Sequence, residues 1–359
     1  MNENVLVNPT PITFFPDYRA TNPYQTLHYE SLEPAFRAEP GTIEDALERQ
    51  AAAPGKPHLF HLHWEHAAFI GSRAARIIDR FLDDISRFQA GGGKVIWTIH
   101  NLAPHDEQKS AANADLQSGL AQLADVLHLH SLPALAAARS EINLPDRQIR
   151  VIAHQNYEGA YPVYARTAAR TDLGLASARL VILCPGRIAP YKQPSELAEA
   201  FLAVAGSDDR LVIAGETARN FILNLPKDER LVHRDGFATP EDVGKLHAAA
   251  DFVILPYRAS LTSGSAILAA TLGRAVVGPD TAGLRDVVAP NQTGLIYQTG
   301  DLSEALKSAV QDDAETWAAR GRAAAELVSA RNRTIIAAQW KDVLLSLVRP
   351  AFKSIGAPI

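Results

Sequence analysis

Short apolar runs rich in β-branched residues alternate with longer stretches of helical period along the whole chain. In the first half the runs are Val5–Asn8, His58–Trp64, Val95–His100, Val126–His130 and Ile149–Ala153, separated by helical stretches such as Ala67–Gln89 and Leu132–Ser140. In the second half they are Leu180–Cys184, Arg210–Ala214, Leu231–His233, Phe252–Leu255, Ala275–Val277 and Gly294–Tyr297. This rhythm predicts βαβ units and parallel sheets, hence an α/β protein with one doubly wound unit in each half. The stretch Glu158–Ala178 lacks a clean apolar period and reads as the linker. After Asp313 the chain reads as helical to about Arg349, with Trp317, Leu327, Val328, Ile335, Ile336, Trp340, Val343 and Leu344 on its apolar face.

Composition narrows the partners. With 359 residues, 47% hydrophobic and 21% charged, the chain has the material for two cores and is not disordered. Its 35 basic and 40 acidic side chains are interspersed, so no basic stripe invites nucleic acid. One cysteine, Cys184, excludes an intrachain disulfide framework and thiolate zinc sites, and fits a reducing compartment. The opening MNENVLVNP lacks the order of a secretory signal and no apolar run reaches a membrane-spanning length of about 18 residues. The cytoplasm is the expected location, with attachment to a membrane surface left open.

Ligands of doubly wound sheets sit beyond the carboxyl ends of the strands, so the loops there carry the candidates. The run CPGRIAPYKQ places Gly186, Arg187 and Lys192 after a strand and before a helix. A glycine that admits close backbone approach, a guanidinium and an ammonium suit a diphosphate, although a surface turn with scattered cations has the same look. In FVILPYRASLTSGSAILAA a buried strand ends at Pro256 and a polar loop, Ser260–Ser265, leads into a helix. Free amides at that helix start, with Thr262, Ser263, Gly264 and Ser265, make an anion site; alternatively Thr262 or Ser263 is only the helix cap.

The ordered array GRIAPYK, LVIAGE, VHRDGFATPEDVGKLHAAADFVILPYR, GRAVVGPDTAGLRDVV and NQTGLIY resembles the donor-binding half of family 4 glycosyltransferases over about 120 residues. The resemblance implies the GT-B fold, two Rossmann-like domains facing across a cleft. Residues 1–165 would be the acceptor side, 166–335 the nucleotide-sugar side, and 336–359 a helix returning to the first domain. It implies donor binding by Gly186, Arg187, Lys192, Gly236, Phe237, Tyr257, Arg258, Ser260, Thr262, Ser263, Gly264 and Ser265. Arg187 and Lys192 would neutralise the diphosphate, and Gly236 and Phe237 would lie near the base. Where the family carries two glutamates, this chain has Ser260 and Leu268, so retention of anomeric configuration is not inherited. The PYRASLTSG wording resembles a bacterial exopolysaccharide subgroup, some of whose members invert. That implies a UDP-sugar donor, such as UDP-glucuronate or UDP-glucose, and a polyprenyl-diphosphate-linked saccharide acceptor at the inner face of the membrane. No cofactor or metal is expected. The rival readings are a sugar-nucleotide epimerase of the same fold and a catalytically silent nucleotide-sugar-binding partner.

The first half supplies candidate chemistry. In HLFHLHWEH, His61 and His63 share a strand face while His66 lies beyond it, so buried or crevice polar roles outweigh metal binding. VIWTIHNLAPHDE sets His100 and Asn101 at a strand end; a family resemblance gives His100 a contact with the donor sugar. An inverting transfer needs a base for the acceptor hydroxyl, for which Asp106 and Glu65 are candidates. Tyr24, Trp64 and Asn101 are the acceptor-side expectations. The aromatic segment PITFFPDYRATNPYQTLHYESL, with Phe14, Phe15, Tyr18, Tyr24 and Tyr29, reads as a loop that stacks on sugars, touches a bilayer or packs into the core.

Overall fold

The structure, a computed structural model, describes residues 9–68, 74–103 and 111–349. The expected strand Val5–Asn8 and the candidate base Asp106 lie outside these residues. Among the described residues twelve strands form two six-stranded sheets, parallel throughout. The first comprises β1 (Thr10–Phe15), β2 (Phe36–Pro40), β3 (Leu59–Leu62), β4 (Lys94–Thr98), β5 (Val126–Leu129) and β6 (Ile149–Val151), in the order β2-β1-β3-β4-β5-β6. The second comprises β7 (Leu180–Pro185), β8 (Asp209–Gly215), β9 (Leu231–Asp235), β10 (Phe252–Ile254), β11 (Ala275–Pro279) and β12 (Gly294–Tyr297), in the order β12-β11-β10-β7-β8-β9. The order in which strands are added reverses between β1 and β3 in the first case and between β7 and β10 in the second. Those switch points open the two crevices.

The helices of the first half are α1 (Tyr24–Glu30), α2 (Ile43–Ala52), α3 (Ala74–Ala90), α4 (Ala111–Leu123) and α5 (Leu132–Arg139). Those of the second are α6 (Arg166–Asp172), α7 (Pro194–Val204), α8 (Pro240–Ala249), α9 (Gly264–Thr271), α10 (Ala282–Arg285), α11 (Leu302–Ala309), α12 (Ala314–Ser329) and α13 (Arg333–Val348). Among the described residues none is long and apolar enough to cross a membrane. Starts are well capped. Thr42 and Thr239 form capping boxes with Asp45 and Asp242, and Ser263, Asp313 and Asn332 accept from the first turns of α9, α12 and α13.

One expectation is corrected and another gains detail. The aromatic segment is not one loop: Phe14 lies in β1 and is fully buried, while Tyr24 and Tyr29 lie in α1 and are buried too. Alternation in Thr10–Phe15 is masked because both faces of β1 are covered, which removes the polar half of the pattern. The expected linker holds a helix, α6. Its Arg170 reaches the buried Asp251 carboxylate at 2.7 Å, Arg166 pairs with the same group, and Asp251 accepts from the Val181 amide at 2.7 Å. A buried charge needs such partners, so α6 is tied to the second sheet through ions that a hydrophobic period does not reveal.

Each sheet separates two cores. On the first, Phe60, Leu62, Val95, Trp97, Leu127 and Leu129 pack against α2 to α5 through Ile85, Phe88, Leu116 and Leu120. The opposite face carries Ile12, Phe14, Leu59, Ile96 and Val126, and is covered by Tyr29 of α1 and by Ile336, Trp340 and Leu344 of α13. The last helix thus returns to the first sheet. Leu261, from the loop after β10, inserts into the core of the first half, and Asn156 donates to the Val328 carbonyl at 3.2 Å. Trp340→Ala is expected to remove about 3–5 kcal/mol of stability, the usual cost of emptying a buried tryptophan site. Urea unfolding would read it, and a change under 1 kcal/mol would mean that α13 contributes little to the first half.

Candidate functional site

On the second sheet the crevice is built where β7 and β10 part. Gly186 follows β7 with φ 89°, a left-handed conformation, and a Cβ there would lie 2.8 Å from Lys192 Nζ. Gly215, at the end of β8 with φ 146°, has no room for a side chain: a Cβ would stand 2.3 Å from the Gly186 carbonyl oxygen. The short turn Pro190–Lys192 folds the lysine back, so that its ammonium donates to the Pro185 carbonyl at 3.0 Å and lies 5.0 Å from the Tyr257 ring centre. Lys192 is buried and Arg187 stands exposed at the lip. Gln193, left-handed at φ 51°, ties the two loops together: it donates to the Pro256 carbonyl at 2.6 Å and accepts from Arg258 at 3.2 Å.

The loop after β10 ends at Ser263, which caps α9 by accepting from the Ala266 amide at 3.2 Å. The Thr262 hydroxyl is buried with no partner in the protein. Such a group needs a ligand or a water. Ser260 instead spends its hydroxyl on the Thr262 carbonyl at 3.1 Å, bracing the loop. Leu268 packs into the core at the second glutamate position. Arg258 pairs with Glu196 at 3.8 Å beside an open groove of about 470 Å³ between α7 and α11, where Tyr257 and Tyr297 also contribute. Gly236 and Phe237 are exposed after β9, on a turn held by Thr217, whose amide and hydroxyl both donate to Asp235 at 2.9 and 2.7 Å.

The facing half is a cluster of imidazoles. Strand alternation puts Leu59, His61 and His63, then Ile96, Thr98 and His100, then Val126, His128 and His130, and finally Ile152 and His154 on one face. Each series is aliphatic near the start of the strand and turns polar toward its carboxyl end. His28 of α1 joins them, and all seven histidines are buried. Trp340 covers the deep part, with ring centres 4.9 Å from His28, 5.4 Å from His61 and 4.5 Å from His128. Trp64 stacks on His100 at 4.2 Å.

Tyr24 lies among His28, His63, His100, His130 and His154, and its buried hydroxyl has no partner in the protein. Burial raises that phenol well above its ordinary pKa. Burial also holds the imidazoles neutral: His28 falls to about 3, and His128 and His154 to about 4, while His61, His63, His100 and His130 are lowered well below the usual value.

The two halves meet at the start of α9. A Cβ on Gly264 would be 3.0 Å from the Tyr157 hydroxyl and 4.0 Å from His154 Nε2, and His154 leads through Tyr24 to His100. The anion loop and the histidine face therefore border one cleft. Glu65 does not join it. Its carboxylate accepts from Gln117 at 2.9 Å and from the Trp97 indole at 3.3 Å, and burial raises its pKa, so it serves the core beneath β4. Asn101 is half-buried one residue beyond His100. Sequence reasoning passed over Gly215, Gln193, His130, His154 and Tyr157; the histidines alone had a signal, the repeated spacing of two at strand ends. Among the described residues no group of three or more His, Cys, Asp or Glu is arranged to hold a metal ion.

A scan against family models matches residues 179–313 to Glycosyl transferases group 1. Those residues are a group 1 glycosyltransferase domain. The chain is 25% identical over 305 residues to a GDP-mannose:glycolipid 4-beta-D-mannosyltransferase of Xanthomonas campestris pv. campestris, covering 81% of this chain and 80% of that one. It is 25% identical over 342 residues to a D-inositol 3-phosphate glycosyltransferase of Corynebacterium efficiens, covering 87% and 76%. In fold it matches Anabaena HepE in complex with UDP-glucose, with a TM-score of 0.73, 16% identity and coverage of 94% and 99%. It also matches sucrose-phosphate synthase from Thermosynechococcus elongatus, with a TM-score of 0.69, 20% identity and coverage of 88% and 82%. The protein is a glycosyltransferase with the GT-B arrangement of two facing Rossmann-like domains.

The histidine face sets the acid response of this glycosyltransferase. Unfolded imidazoles take up protons below about 6.5, whereas His28, His128 and His154 do so in the native protein only near 3 to 4. Their folded pKa values are depressed, so stability is complete above pH 6.5 and falls as the pH drops toward 4, each group contributing up to about 1.4 kcal/mol per unit. Urea midpoints measured from pH 7.5 to 4.5 should fall steeply below 6.5; a flat profile would show that the imidazoles are not held neutral.

Proposed function

We propose that the protein transfers a hexosyl group from a nucleoside-diphosphate sugar to a hydroxyl of a saccharide carried on a lipid. In this reaction the acceptor oxygen bonds to the anomeric carbon, the bond from that carbon to the diphosphate breaks, and the nucleoside diphosphate leaves; the acceptor proton passes to a base. The observation that carries the reading is the cradle where β7 and β10 part. A buried ammonium, two glycines in positive-φ conformations, and the amides and hydroxyls opening α9 all suit a departing diphosphate.

The histidine face opposite it offers neutral donors and acceptors for sugar hydroxyls. Support for a lipid-borne acceptor comes from the Xanthomonas relative, whose name specifies a glycolipid, and support for a UDP donor from HepE, solved with UDP-glucose. Arg187 would add charge at the lip, and Gly236 and Phe237 would border the base. Working on such an acceptor would bring the enzyme to the inner membrane surface, peripherally. Metal independence is part of the proposal, since Lys192 and Arg187 supply the charge that a divalent ion would otherwise provide.

UDP-glucose, UDP-glucuronate and GDP-mannose, each with and without polyprenyl-diphosphate-linked saccharides, are the discriminating panel. Acceptor-dependent release of UDP or GDP is expected; release without acceptor would favour an epimerase, and binding without release a silent partner. Lys192→Ala should lower kcat/KM about 10–100-fold, the value of a charge-assisted hydrogen bond of about 1.5–3 kcal/mol. Wild-type turnover in that variant would remove the diphosphate role.

A further inference from the structure

Six buried side chains on and beside the first sheet form one chain of polar contacts. His128 Nε2 lies 2.9 Å from the Ile152 carbonyl oxygen, and His128 Nδ1 lies 3.0 Å from Thr98 Oγ1. Thr98 Oγ1 is 2.8 Å from His61 Nε2, and His61 Nδ1 is 3.0 Å from Tyr29 Oη. Tyr29 Oη is 2.7 Å from His63 Nε2, and His63 Nδ1 is 3.1 Å from His100 Nε2. Every member is buried.

The direction of this chain is forced by its deep end. A carbonyl only accepts, so His128 carries its proton on Nε2, and a neutral ring then accepts at Nδ1. Thr98 must therefore donate to His128 and accept from His61 Nε2. By the same rule Tyr29 donates to His61 Nδ1 and accepts from His63 Nε2, and His63 Nδ1 accepts from His100 Nε2. Neutrality of the rings is what burial imposes. Four imidazoles are thus locked as Nε2–H tautomers, and the last of them, His100, is at the carboxyl end of β4, where the cleft begins.

We propose that this one-way chain fixes His100 with Nδ1 as a hydrogen-bond acceptor, so that the group of the transferred sugar meeting it is a hydroxyl and not a carboxylate. His63, Tyr29, His61, Thr98 and His128 are positioning residues that act through His100, and the inference rests on the sugar-transfer reading above. A hydroxyl can donate to a bare imidazole nitrogen, whereas a carboxylate would set one lone pair against another. Tyr29 is the pivot, since its oxygen must donate and accept at once. Phenylalanine keeps the ring stacked on Phe14, 4.4 Å away, but breaks both links.

The test is nitrogen-15 NMR of histidine-labelled protein with kinetics on Tyr29→Phe. In the wild type, His61, His63, His100 and His128 should each show the Nε2–H pattern. In Tyr29→Phe, His63 and His100 should shift toward mixed tautomers and kcat/KM should fall about tenfold, the worth of one well-placed hydrogen bond. His58→Gln alters a buried histidine outside the chain, bonded to Thr13 at 3.1 Å; it should leave the tautomers and kcat/KM unchanged. An Nδ1–H or charged His100 in the wild type overturns the proposal. So does a Tyr29→Phe protein with unaltered spectra, unaltered turnover, or a loss matched by His58→Gln. The spectra need no turnover, so an inactive wild-type protein would sink the transfer reading and leave the chain to be judged on its tautomers alone.

Discussion

An imidazole removed from water is costly unless its nitrogens find partners, and one face of the first sheet carries six, with His28 of α1 beside them. That requirement explains features with no other common cause. The Ile152 carbonyl, Thr98 and Tyr29 are spaced to meet ring nitrogens, and Trp340 seals the array from above with an aromatic plane. A leucine in place of Trp340 would supply apolar area without a ring to lie against three imidazoles. The returning helix is thus fixed in register by what lies beneath it, as well as by the aliphatic contacts of Ile336 and Leu344.

The same helix joins the halves. Where α12 passes into α13, Arg331 grips Asp286 with two nitrogens at 2.7 and 3.1 Å and reaches the Asp286 carbonyl at 2.6 Å, while its own carbonyl accepts from the Asn156 amide at 2.9 Å. Bidentate geometry of this kind holds an angle as well as a distance. The cleft therefore has a stiff wall at this junction, and Leu261 and the Gly264–Tyr157 contact set the opposite approach. An added Cβ at position 264 would stand 3.0 Å from the Tyr157 hydroxyl, so a residue larger than glycine there would press on Tyr157.

Fold class was legible because parallel strands covered on both faces leave dense β-branched runs, and Leu180–Cys184, Phe252–Leu255 and Ala275–Val277 have no polar interruption. What failed was reading where chemistry replaces hydrophobicity. Tyr24 and Tyr29 read as loop aromatics because their helix is short, and its buried side includes Gln25 and His28. α6 was hidden since its contact with the second sheet is ionic. The turn at Gly186 and the cap at Ser263 were legible, since positive φ and helix capping follow from the chemistry of those residue types. Glu65 misled for the opposite reason: a carboxylate after a strand says nothing of which way it turns, and here it turns to Gln117 and Trp97.

The histidine face also bears on the replaced glutamates. Ser260 and Leu268 are an internally satisfied hydroxyl and an apolar side chain, so neither compensates for a carboxylate by itself. A donor held without those carboxylates must draw its orientation from elsewhere, and the proposal assigns that task to the first half, through neutral rings whose proton positions would be set by their neighbours. Neutral groups have the advantage of stability near a diphosphate. A carboxylate beside it would raise the repulsion that Lys192 and Arg187 are proposed to relieve, whereas an imidazole with a fixed tautomer would offer direction without charge. On the proposed function, directional contacts with the sugar and neutralisation of the leaving group would fall to separate halves, so that both must face one bound molecule.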